Sequence, residues 1–510
     1  MVAPRRDVRI TLGPMARPPA YADLLHAVTL GTARRPPDPA IMAWLDDHGA
    51  IDPVADVPEQ LLAALGLVER THRLQPARAP KSEQPAAAPP ETLPPPGPRL
   101  ARGLHLILEG TYPDLLDEAV AVITDRGTYL PPQLLPTLLT RAATLLPDDP
   151  DRARRYLAAT GERGPWLAAL NPEWASLAPG FDHAAAWRRE DQPARRATLL
   201  ADWRSKDPAT ARTALEAGWE SQSPRNQEVL LAGLRPRLSA DDHPWLRTAL
   251  EPKRKGVRRA LTRLLLLAGE PDALRNLTAI AREAFATDRP PGNTLAAENQ
   301  ELLKRYGGVK APDTVRQRLL RILPPAAWPD ITALSLADFW PRLSALERRE
   351  AGKAIRDHDD PETKVAFLRY LLLDEPQQFA RDLAADLIAQ VDDATFTMLY
   401  DEVLTRRTDA LRLRGLPRFL ALQRGRGWSD RLSRAMVRRL LDDLHSRQLD
   451  YATQRDLALH WKQSRTLLDP ELFPWLRQQL HTTTERPDVF GKLATEILQT
   501  TSFRRQLRQA

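Results

Sequence analysis

Residues 207–215 read DPATARTAL, and residues 149–157 read DPDRARRYL, so both follow the pattern D-P-x-x-A-R-x-x-L. An aspartate just ahead of a helix accepts from its unpaired first amides and suits the positive end of the helix dipole. The proline behind it sits in the first turn, where no donor is missed. Looser copies begin at Glu270 (EPDALRNL), Asp360 (DPETKVAFL), Glu375 (EPQQFARDL) and Asp469 (DPELFPWL). Repeated helix starts predict repeated helices. Because their spacing is irregular, the pattern fits an all-α array of diverged helical hairpins, an α-solenoid of the HEAT or armadillo kind. Units of about 40 residues would give roughly ten helix pairs.

Composition points the same way. Among 510 residues aromatics make up only 6%, and the Val- and Ile-rich runs that form buried strands are almost absent. A chain of this length exceeds what one compact core supports, which favours several domains or an elongated array. There is no cysteine, so disulfides, thiolate nucleophiles and cysteine-based zinc sites are excluded. The first 21 residues, MVAPRRDVRITLGPMARPPAY, lack an apolar signal core, and the longest apolar run is a few residues near Leu264–Ala268. The expectation is a soluble, cytoplasmic protein with no membrane contact.

The chain divides at its prolines. Residues 1–20 read as a flexible extension. Residues 21–75 form a small helical unit, with YADLLHAVTLG and PAIMAWLDDHG each running into a glycine suited to a C-cap. From Pro76 to Pro98 nine prolines in 23 residues predict an extended, semi-rigid linker. Residues 99–510 form the helical-repeat body.

Charge is uneven along that body. The net charge is +7, and residues 401–510 alone carry 21 basic against 13 acidic side chains. Two clusters stand out. Five cations lie within Lys253–Arg259, just ahead of a leucine run. At about 100° per residue Val257, Ala260, Leu261, Leu264, Leu265 and Leu267 share one face, with Arg258, Arg259, Thr262 and Arg263 opposite, so these cations read as the solvated back of a helix. The second cluster holds eleven arginines and two acids between Arg406 and Arg439. Arg431, Arg434 and Arg438 are spaced i, i+3, i+7 with Arg439 adjacent, and Arg424 and Arg426 occupy the glycine-containing RGRGW loop. Together these six form the candidate surface for an anion or an acidic partner.

Catalytic signatures do not emerge. There is no G-x-x-x-x-G-K-[ST], G-x-G-x-x-G, G-x-S-x-G or H-E-x-x-H, and no pair of histidines lies at i, i+4. No catalytic residue, metal or cofactor is therefore expected. The acidic doublets at 148/149, 241/242, 359/360, 392/393 and 442/443 read as helix caps. The tryptophans at 166, 174, 187, 203, 219 and 245 fall within 80 residues and could stack on bases beside arginines, but Trp203 and Trp219, at the ends of apolar helical patterns, read as fillers between stacked hairpins.

Several stretches resemble a known family: LLHAVTLGTARRPP (Leu24–Pro37), RGPWLAALNPEW (Arg163–Trp174) and the run from Arg195 to Leu267. The chain is similar there to an uncharacterised bacterial family of about this length that carries only a domain-of-unknown-function label. In its best-matched part, Asp207–Leu267, Val257, Arg258 and Leu261 look like the second helix of a HEAT-type repeat. The resemblance implies accessory proteins encoded beside MoxR-type AAA ATPases, von Willebrand factor A proteins and SWIM zinc-finger proteins, and so a protein partner of the ATPase or von Willebrand factor A class. The functional expectation is a non-catalytic scaffold. The alternatives are nucleic-acid binding through the C-terminal arginines and, more remotely, a HEAT-like DNA glycosylase.

Overall fold

The computed structural model describes residues 21–33, 38–47, 56–74, 86–147, 149–250, 254–286, 295–308, 314–374, 380–446 and 450–510. Among these residues there are 28 α-helices, seven short 3-10 helices and no strand. The all-α, solenoid-like class expected from the helix starts is what forms.

The chain splits into residues 1–87 and 88–510. The first unit holds the helices Tyr21–Leu30, Pro39–Asp47 and Val57–Leu74 around Leu24, Ala27, Ile41, Leu61 and Ala64. The proposed extension, 1–20, lies outside the described residues, as does the stretch 76–85 of the expected linker. Residues 88–98 of that linker belong to the second unit. Glu91 is nearly buried, accepts from the backbone amides of Glu162 (2.9 Å) and Arg163 (3.2 Å), and faces the Arg163 guanidinium. It thereby caps the start of helix Arg163–Leu170, whose own N-cap residue, Glu162, makes no side-chain capping bond.

Helix starts in the body follow the acid-proline code. Asp149 accepts from the Arg152 amide, Asp207 from Thr210, Glu270 from Ala273, Asp360 from Thr363 and Asp469 from Glu471. The copy at Glu375 lies outside the described residues. Serines at 223, 335, 344 and 429 cap further helices in the same way.

Helices of the body stack in two layers. One row runs through Pro193–Lys206, Pro224–Ala232, Lys255–Leu267, Thr314–Ile322, Ala345–His358, Arg381–Ala389, Leu416–Gln423, Tyr451–Ser464 and Val489–Gln509, each packed on the next. A second row runs through Leu336–Arg342, Pro361–Asp374, Asp393–Arg406 and Asp430–His445. Between the layers lies a continuous core from Trp187 to Ile497. Trp187, Trp203 and Trp219 are buried in it, and Trp219 meets Trp245 edge-on at 5.3 Å, so these rings fill gaps between hairpins as the sequence reading holds. Residues 100–178 build a second core, which Leu507 of the last helix completes. Packing of Val489–Gln509 on Pro98–Leu108 and Leu116–Asp125 brings the row back to the start of the body.

Helix Lys255–Leu267 corrects one expectation. Its apolar face is buried as expected, but Thr262 is fully buried too, and Leu266, on the polar side, is 2% exposed. Arg258, Arg259 and Arg263 are half-buried. That side packs against the turn 306–308 and helix Ala345–His358 rather than facing water: Thr262 donates to the Tyr306 carbonyl, Arg259 to those of Gly307 and Gly308, and Arg263 pairs with Asp357.

Candidate anion-binding surfaces

The six C-terminal arginines do not form one surface. Arg424 is only 3% exposed. Its guanidinium lies 4.1 Å over the Phe396 ring, donates to the Ile388 carbonyl and pairs with Asp393, so it is a core residue and not a surface donor. Burial holds its pKa below the ordinary value, against the pull of Asp393. Arg426 is exposed, 3.8 Å from the same Asp393, and Gly425 between them takes a left-handed φ of +73° that turns the loop.

The four arginines on helix Asp430–His445 point to different neighbours. Arg431 reaches Asp401 at 3.4 Å and donates to the Thr405 hydroxyl. Arg434 forms a two-pronged pair with Asp430 and lies 4.8 Å over the Trp475 ring. Arg439 pairs with Asp443 at 3.1 Å, a carboxylate also held by the buried Arg418. Arg438 alone of the six is exposed with no partner among the described residues. The sequence count of eleven basic against two acidic side chains therefore overstates the free charge, because Asp393, Asp401 and Asp443 come from outside the counted stretch.

A denser convergence of arginines lies elsewhere, on three consecutive helices of the long row and the turn that follows helix Pro224–Ala232. Asp357, in the last turn of Ala345–His358, has a side chain only 2% exposed. Arg235 approaches Oδ1 at 3.5 Å and also donates to the Asp357 carbonyl at 3.2 Å. Arg263 and Arg321 both meet Oδ2, and Arg356 stands 3.8 Å from Oδ1. Burial alone would raise the Asp357 pKa, yet the charges of Arg321 and Arg263 carry it below the ordinary carboxylate value. For Arg263 the balance runs the other way: burial, then the neighbouring Arg321, lowers its pKa. Further carboxylates are few. Glu350 lies 3.8 Å from Arg321 and is shared with Lys353, and Asp386 takes Arg356 at 2.9 Å. Five cations thus face three carboxylates.

Helices Lys255–Leu267 and Thr314–Ile322 carry a second arginine pair. Arg318 donates to the Tyr306 carbonyl at 2.7 Å, beside the Arg259 that holds Gly307 and Gly308. Neither has a carboxylate partner among the described residues. Burial, with the Arg259 charge added, takes the Arg318 pKa down to about 10. Sequence reading missed both groups, because Arg235, Arg263, Arg321 and Asp357 are spread over more than 120 residues. The weak signal available was three arginines in TVRQRLLRI, residues 314–322.

A family model matches residues 23–510. The chain belongs to DUF5691, a family of unknown function. No curated protein and no solved structure matches it.

Other titratable clusters of this DUF5691 chain are taken up by its own packing. His183 shares the Asp202 carboxylate (2.7 Å) with Lys206 (3.3 Å). Asp242 joins the fully buried Arg204 (2.8 Å) to Arg212 (3.0 Å), and its side chain closes a capping box with Ser239. Of the acidic doublets, Asp149, Asp360 and Asp392 cap helices, whereas Asp242, Asp393 and Asp443 pair with arginines. Among the described residues no group of three or more His, Asp or Glu side chains is placed to hold a metal ion. No helix there is long and apolar enough to cross a membrane.

Proposed function

We propose that this protein is a non-catalytic helical-repeat scaffold that binds another protein along the outer faces of its helices. The observation that carries this reading is the unbroken row of nine helices from Pro193–Lys206 to Val489–Gln509, which lays out a long side-by-side helical surface. Large apolar side chains stand exposed on this row, including Leu346, Leu459 and, at 83%, Tyr451. Such side chains supply the anchors on which protein interfaces depend. Caps and internal ion pairs occupy the carboxylates that would otherwise be candidates for acid-base chemistry, which favours binding over turnover. The family resemblance adds the partner class: a MoxR-type AAA ATPase or a von Willebrand factor A protein.

The test is affinity capture of the tagged full chain from the organism that encodes it, at low and high salt, with and without nuclease. The scaffold reading expects an ATPase or von Willebrand factor A protein retained in near-equal amount through nuclease treatment. Recovery of nucleic acid in place of protein, or turnover of a nucleotide, peptide or nucleic-acid substrate by the purified chain alone, would overturn it.

A further inference from the structure

We propose that the arginine cluster around Asp357 is a binding site for a phosphate-class oxyanion, held by Arg235, Arg263 and Arg321. The inference goes beyond the scaffold reading and does not depend on it.

The argument begins with donors and acceptors. A carboxylate offers two oxygens and about four lone-pair positions, whereas each guanidinium carries five N–H donors. Four guanidiniums share the two oxygens of Asp357, so most of their donors are left over. The Nε–H of Arg263 and Nη1 of Arg321 are buried without a hydrogen bond, as is Asp357 Oδ2, which both arginines meet as ion pairs only. An unmet buried donor on a charged group is costly, and the cost falls when an anion arrives.

Charge and access agree with this. The cluster holds more cations than carboxylates, and Arg259 with Arg318 extends the excess along the same two helices, their described partners being only carbonyls. Arg235 is 44% exposed and Arg263 is 32% exposed at the side chain, so the cluster opens to solvent on their side. Guanidiniums reaching in from two helices and one turn suit a tetrahedral oxyanion better than a flat carboxylate, because they can approach different edges of the tetrahedron. Asp357 then acts as the hub that gathers the forks while leaving them with surplus positive charge.

Calorimetric titration of the full chain with inorganic pyrophosphate and inorganic phosphate, against sodium chloride at matched ionic strength, tests the site. Saturable binding of pyrophosphate at one site is expected. Arg235→Ala, a largely exposed change that spares the fold, should weaken it by about tenfold, the loss of one charge-assisted contact. Asp357→Asn, which removes the competing carboxylate, should tighten it if the variant gives a folded circular-dichroism spectrum. Arg188→Ala, an exposed change outside the cluster, should leave it unchanged. A single-stranded oligonucleotide displaced by pyrophosphate and lost with Arg235→Ala would identify the source as nucleic-acid phosphate; no such displacement would leave free phosphate or its small esters as the source. Pyrophosphate behaving as chloride does, or Arg235→Ala binding like the parent chain, would overturn the proposal.

Discussion

Arg504 and Glu118 stand 386 residues apart in the chain and meet at 2.6 Å. Arg504 is 1% exposed and also donates to the Leu468 carbonyl, while Glu118 takes Arg508 at 2.7 Å on its other oxygen. Tyr112 stacks on Phe503 at 4.3 Å beside them, and Arg465 bridges Asp114 and Glu496. The last helix is thereby joined to the first helices of the body by both ion pairs and apolar contacts.

Removing Glu118 leaves the Arg504 charge buried without its carboxylate. Glu118→Ala should cost about 3–5 kcal/mol in urea denaturation. Arg504→Met combined with Glu118→Leu, which replaces the pair by apolar side chains, should recover much of that loss. A loss under about 1 kcal/mol for Glu118→Ala would show that the junction does not rest on this pair.

Within the C-terminal arginine cluster, two residues of one type should behave oppositely. Arg424→Ala empties a buried site stacked on Phe396 and strands the groups it held, so a loss of about 2–4 kcal/mol is expected. Arg438→Ala should stay within about 0.5 kcal/mol, as surface changes do. Thermal melts of the two variants side by side check this.

Replacing Arg431, Arg434, Arg438 and Arg439 together by Ala separates the scaffold reading from nucleic-acid binding. Three of the four already hold carboxylates, so any oligonucleotide affinity should show a shallow salt slope, near one released counterion. Fluorescence anisotropy across a salt series reads that slope. A steep slope in the parent chain that vanishes in the variant would restore the nucleic-acid reading.

Glu91→Ala should free the stretch 88–97 from the start of helix Arg163–Leu170. Faster limited proteolysis within that stretch is expected, with the rest of the body intact, together with a loss of about 1 kcal/mol typical of a missing helix cap. Unchanged cleavage would mean that other contacts hold the segment.

Acid should destabilise the fold in two stages. Burial, reinforced by Arg418, brings His460 down to about 4, and burial also lowers His358. A histidine depressed in the folded state binds its proton more readily when unfolded, so this stabilisation is complete above the unfolded value of about 6.5 and is lost as pH falls towards 4. Asp242 and Asp357 act lower. Burial opposes their ionisation, but their arginines outweigh it and depress both, so their contribution is present above about pH 4 and lost below it. Urea midpoints from pH 8 to 3 should fall across both windows, and His460→Gln should flatten the upper one.

Local rules were legible in the sequence. The acid-proline pairs at 149, 207, 270, 360 and 469 mark helix starts because capping involves residues within three positions of one another. The apolar periodicity that buries Val257, Leu261, Leu264 and Leu265 is likewise short-ranged. Paired helices with little β-branched or aromatic content followed from those rules, and with them the all-α class.

Tertiary structure alone decided where charge is free and where it is spent. Asp393 takes Arg424 from 31 positions away, Asp357 gathers arginines from two other helices and a turn, and Glu118 meets Arg504 from the far end of the body. Pairings of that kind depend on which helices become neighbours, and helical periodicity repeats too regularly to specify neighbours. Counting arginines along the chain therefore found the stretch richest in positive charge, whereas packing gathered arginines from far along the chain around Asp357.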